Sequence, residues 1–153
     1  MIKDLISYRL HVVANLLSRG AELRYRREFG VSLWEWRTIA LLGAVTEPLS
    51  LKHLAHAAGI DKSQMSRVVS GLAKRKLVVR DANSEDARGV HLTLSKAGRK
   101  IYAGLIEAAA ERDAAFRRCL TSNEKLVFEK ALSKLAGQAR ELIQQEKSED
   151  AHH

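Results

Sequence analysis

The order of elements along the chain predicts a mainly α protein, with two short helices and a two-stranded hairpin set between long N- and C-terminal helices. Three observations carry this. Apolar residues recur at threes and fours over residues 2–28 and again beyond Thr121, the period of a helix with one buried face. Cap signatures bracket a tight turn at "AGID", residues 58–61. Finally, "VHLTL" at 90–94 alternates strictly, with Val90, Leu92 and Leu94 apolar and His91 and Thr93 polar, as a half-buried strand requires.

The elements follow in turn. Ile2, Leu5, Ile6, Leu10, Val13, Leu16, Leu17 and Leu23 mark a first helix that breaks at Gly30. Ser32 and Glu35 form a capping box that opens a second helix, which ends before Pro48. Ser50 caps a short third helix, "LKHLAHAA", and Gly59 stops it. Asp61 and Gln64 read as a second box opening a fourth helix, whose buried face is Met65, Val68, Val69 and Leu72. "KLVVR" at 76–80 and "VHLTL" are the two hairpin strands, with "DANSEDARG" as the loop between them. Ser95 caps a fifth helix running to about Cys119, and Thr121 with Glu124 caps a sixth. Two helices at a tight turn followed by a hairpin make a winged helix-turn-helix lobe, expected over residues 32–97. Residues 1–30 and 98–147 form the flanking helical region, and 148–153 a frayed tail, all within a single domain. The first, fifth and sixth helices are too apolar on one face for so small a core. A homodimer that interlocks the chain ends is expected; a monomeric bundle is the alternative.

Charge is unevenly placed. Residues 1–49 carry seven basic and five acidic residues, 50–100 eleven and four, and 101–153 eight and nine, so nearly all of the net +8 lies in the middle third. Such a stretch suits a polyanion, although a solvated basic face is the alternative. "IALLGAV" at 39–45 is the longest apolar run and is too short to span a bilayer. The charged start, "IKDLISYRL", has no small-residue cleavage site, so no signal peptide and a cytoplasmic, nucleoid-associated location are expected.

The fourth helix carries the candidate base readers. Off its buried stripe lie Ser63, Gln64, Ser66 and Arg67. The second helix of such a pair lies in the major groove of double-stranded DNA, where Gln matches adenine, Arg matches guanine and Ser serves either. Ser50, Lys52, Lys62 and Lys74 are candidate phosphate contacts. On the wing, Arg88 is placed to enter an adjacent minor groove, and Asp86 to pair with it and set its direction. An ion pair that merely holds the turn is the other reading.

With these residues in view, "SLKHLAHAAGIDKSQMSRVVSGLAKRKLVVRDANSEDARGVHLTLSKAG" resembles the DNA-binding lobe of the MarR family of bacterial transcription regulators. "LWEWRTIALL" at 33–42 resembles that family's second helix. The resemblance implies a symmetric homodimer on a pseudo-palindromic operator, acting as a repressor and released by a ligand. It also implies an effector pocket for a small aromatic or phenolic acid, with His11, Asn15, Trp34, Trp36 and Arg37 as candidate lining residues. Here too there is a plainer reading, in which Trp36 packs in the core and His11 pairs with Asn15.

Other classes are disfavoured. The chain has no glycine-rich phosphate loop, "HExxH" or paired-cysteine motif, so no enzyme, cofactor or metal site is expected. His53 and His56 read as surface residues. A protein-interaction module predicts an acidic or apolar fourth helix, and an RNA-binding module predicts exposed aromatics, which residues 50–100 lack. A redox-sensing regulator would have to use Cys119, the single cysteine, which is expected to be a buried small hydrophobe.

Overall fold

The computed structural model describes residues 1–81 and 89–151. After a 3-10 turn at Ile2–Asp4, six helices and three short strands follow: α1 (Ile6–Phe29), α2 (Leu33–Gly43), β1 (Leu49–Ser50), α3 (Leu51–Ala58), α4 (Lys62–Lys74), β2 (Val78–Asp81), β3 (His91–Leu94), α5 (Lys96–Arg118) and α6 (Ser122–Asp150). The helical pattern and its order match the expectation for a mainly α winged helix-turn-helix.

Three details differ. The wing is a three-stranded antiparallel sheet in the order β1-β3-β2, rather than a two-stranded one. Leu49 and Ser50 pair with Leu92 and His91, a bridge too short to leave any alternation in the sequence. The first helix is interrupted at Leu5, whose extended backbone separates the opening 3-10 turn from α1. Finally, α6 continues through Asp150, past the start of the expected frayed tail.

The chain divides into two compact units, Met1–Ala110 and Glu111–His153. The first is built around one core. Tyr25, Val31, Ile39, Leu42, Leu54, Met65, Val69, Leu72, Leu77, Leu92, Leu94 and Leu105 are all buried there. Tyr25 packs against Trp36 with ring centroids 5.1 Å apart and ring planes tilted by 59°. Thr38, the buried polar residue of this core, donates its hydroxyl to the Trp34 carbonyl at 2.8 Å and lies 3.5 Å from the Met65 sulfur. In the second unit, the Thr121–Glu124 capping box starts α6, and Arg117 bridges Asp113 at 2.6 Å and Glu129 at 3.1 Å.

The connection from α4 to the sheet is tightly specified. The Lys76 N–H bonds to the Ala73 carbonyl at 2.9 Å, and the Leu77 N–H reaches back to the Leu72 carbonyl at 3.0 Å. This is the Schellman pattern, and Leu72 and Leu77, both buried, supply the apolar contact that accompanies it. Its left-handed position is filled by Lys76, at φ 59°, where glycine is the usual occupant. The start of α5 presses on the same turn: Ser95 donates its hydroxyl to the Lys76 carbonyl at 2.7 Å and accepts from the Gly98 N–H at 3.0 Å. A Cβ at Gly98 would overlap the Leu77 carbonyl oxygen, so this close approach requires glycine.

Two opposite outcomes follow for this turn. Lys76→Gly relieves the left-handed backbone and raises stability by about 1 kcal/mol. Gly98→Ala overpacks the turn and costs about 1–3 kcal/mol. Urea unfolding midpoints of the two variants, at an unchanged slope, check both signs.

Candidate nucleic-acid interface

The helix pair is held by local code at each end. Ser50 Oγ accepts the His53 N–H at 3.1 Å and starts α3. At its other end, Gly59 takes φ 70°, and the Ile60 N–H returns to the Ala55 carbonyl at 3.1 Å, which turns the chain sharply toward α4. Asp61 then accepts the Gln64 N–H at 2.8 Å and caps α4. The cap is one-sided. The Gln64 amide does not return to the Asp61 backbone as the box pattern anticipated, so that side chain stays on the half-exposed face of the first turn.

Along α4, Met65, Val69 and Leu72 are buried and Val68 is half-buried, the stripe the spacing predicted. Fully burying a side chain of this size contributes about 1.5–3 kcal/mol, which fixes the rotation of the helix about its own axis. Opposite the stripe, Lys62, Ser63 and Arg67 are exposed and Gln64 is half-exposed. Lys52 on α3 and Lys74 at the end of α4 are also exposed, while Ser50 is half-buried as the α3 cap. Ser66 is half-buried and lines a cleft of about 200 Å³ with Ser70, Arg80, Leu51, Val90 and Leu92. Sequence reasoning missed one pairing in this cleft: Arg80 on β2 donates to Ser70 Oγ at 2.8 Å, tying the sheet to α4. Ten residues separate the two, so no periodicity marks them. Asp86 and Arg88 lie outside the described residues.

The expected effector set divides. Trp36 and Arg37 line a pocket of about 300 Å³ with Ala40, Leu41, Ala57 and Ala58, between α2 and α3. His11, Asn15 and Trp34 do not line it. His11 and Asn15 are exposed on α1 and pair with each other at 3.0 Å. The Arg37 guanidinium sits 4.8 Å from the Trp34 ring centroid and donates to Ser18 Oγ at 3.3 Å. Contrary to expectation, Cys119 is exposed, with Sγ 2.9 Å from the Phe116 carbonyl. Its position in the turn after α5 leaves it no core to enter. Among the described residues, no group of three or more His, Cys, Asp or Glu could hold a metal ion. No described helix is long and apolar enough to cross a membrane.

Comparisons with known proteins point one way. A sequence profile of the MarR family matches residues 29–89, from the end of α1 to the wing. The HTH-type transcriptional regulator FarR of Neisseria gonorrhoeae is 34% identical over 102 residues, which make up 67% of this chain and 69% of that protein. A MarR/EmrR family regulator from Acinetobacter sp. ADP1 is 26% identical, with a TM-score of 0.80 over 88% of this chain and 94% of its own. The MepR–DNA complex of S. aureus has a TM-score of 0.81 at 18% identity, over 88% and 98% of the two chains, a likeness of fold.

Removing the α3 cap tests how far the helix pair depends on it. Ser50→Ala lowers stability by about 1 kcal/mol, read as a fall in the thermal midpoint; an unchanged midpoint makes the cap dispensable.

Proposed function

This chain belongs to the MarR family of transcription regulators, and we propose that it is a homodimeric, ligand-responsive repressor that reads a pseudo-palindromic operator in double-stranded DNA. The observation that carries the reading is the exposed polar face of α4, opposite a stripe buried in the core. In this reading Gln64 and Arg67 meet base edges, Ser63 and Ser66 support them, and Ser50, Lys52, Lys62 and Lys74 hold phosphates. Arg88, directed by Asp86, takes the minor groove. The excess of positive charge in residues 50–100 supports the assignment by supplying the counterion-release part of the affinity.

Dimerisation is supported by apolar surface that has no use in a lone chain. Leu5, Ile6, Val13, Leu16 and Leu17 are exposed on or beside α1, as are Leu126, Val127, Phe128, Leu142 and Ile143 on α6. Covering such residues with a second copy is what stabilises obligate dimers. The effector reading rests on the pocket lined by Trp36 and Arg37. An arginine at the edge of an apolar pocket suits the carboxylate of a small aromatic acid, with the ring against Trp36 and Leu41.

Base-by-base substitution of the operator tests the core of the proposal. Gln64→Ala and Arg67→Ala each cost about 1–3 kcal/mol and relax preference at particular base pairs. An equal loss on every sequence makes both residues phosphate contacts. For the effector, an aromatic acid that releases wild-type protein from DNA fails to release Arg37→Ala; release at the same concentration removes Arg37 from the site.

A further inference from the structure

The end of the recognition helix is joined to the start of α2 by a long-range ion pair. Arg75, the C-cap of α4, donates from Nη1 to Glu35 Oε2 at 3.0 Å, across forty residues of sequence. The same carboxylate oxygen accepts the Ser32 N–H at 3.0 Å, completing the capping box that starts α2. Glu35 is the better buried partner, with 21% of its side chain exposed against 39% for Arg75. The other guanidinium nitrogen of Arg75 lies against Gly30, the left-handed residue that ends α1: a Cβ there would sit 3.5 Å from Nη2. One arginine therefore meets the end of α1, the start of α2 and the end of α4.

The charges also suit the helices that carry them. Glu35 lies in the first turn of α2, the positive end of its dipole, and Arg75 at the negative end of α4. Each is favoured where it stands before the pair forms. The fork of the guanidinium restricts direction as well as distance.

We infer that Glu35 and Arg75 act together as positioning residues for DNA reading, holding the C-terminal end of α4 at a set angle to α1 and α2. This rests on the DNA-reading role proposed above. The buried stripe fixes the rotation of α4 about its axis, and the turn at Lys76 fixes where the chain leaves it for the sheet. The ion pair adds a side-chain link from that end of α4 to the start of α2 and the end of α1. Because α1 is one of the helices carrying the apolar dimer surface, the angle of α4 to α1 also sets the distance between the two recognition helices of a dimer. A change in that angle penalises a correctly spaced operator and leaves non-specific binding to phosphates alone.

The test is a double-mutant cycle on the full-length protein with Glu35→Gln, Arg75→Gln and the pair. Glu35→Gln keeps an acceptor for the Ser32 N–H and so preserves the cap. Affinity is measured for the duplex upstream of the protein's own gene and for a scrambled duplex of equal length, with thermal midpoints in parallel. The expected result is a loss of about 3- to 30-fold on the upstream duplex for each single variant. The double variant loses no more than about twofold beyond the worse single, and affinity for the scrambled duplex holds. The inference is overturned if Glu35→Gln binds like wild type while Arg75→Gln weakens both duplexes equally, because Arg75 is then a phosphate contact. Equal losses on both duplexes that track a lowered midpoint also overturn it, in favour of plain stability. Wild-type protein that prefers neither duplex removes the DNA-reading role itself, and this inference with it.

Discussion

Everything α4 can offer outward depends on how its inner face is buried. Met65, Val69 and Leu72, spaced by four and three, enter the core between α2, α3 and the sheet. With 3.6 residues per turn, that spacing leaves one orientation in which all three are dry. The polar residues between them then have no choice of direction. Lys62, Ser63 and Arg67 are exposed because the stripe on the other face is buried. The same stripe ends in the Schellman turn at Lys76, so the burial that orients the helix also sets where the chain leaves it for β2.

The helices were legible in the sequence because their signals are local. Ser32, Ser50, Asp61, Ser95 and Thr121 each accept an N–H three residues on, a bond whose two partners can be read from one short window. Other features need the folded chain. The β1 bridge is two residues long, too short for alternation to show, and its partner lies on β3. Arg80 with Ser70 and Arg75 with Glu35 are joined only by tertiary packing. Gln64 illustrates a subtler gap: its residue type fits a capping box, but a box needs the side chain to bond back to the Asp61 backbone, and here only the Asp61 half of the pair is made.

The candidate effector residues divide for a similar reason. His11 and Asn15 are one turn apart on α1, and that neighbourhood satisfies them with each other. Trp36 and Arg37 are adjacent in sequence, so on a helix they point about 100° apart. Trp36 turns to Tyr25 while Arg37 reaches Ser18, and the two still share the wall of one pocket with α3. Composition and spacing identified the residue types, while the packing of α2 against its neighbours decided which of them meet.

The central claim is that the outward face of α4 reads base sequence. Its most direct test is a salt titration of binding to the DNA upstream of the protein's own gene, against a scrambled duplex of equal length. The account predicts affinity that falls steeply with salt on both, and a preference of at least about 10³-fold for the upstream DNA at physiological salt. Equal, weak binding to the two duplexes at every salt concentration would contradict it, leaving a basic surface that binds phosphates without reading bases.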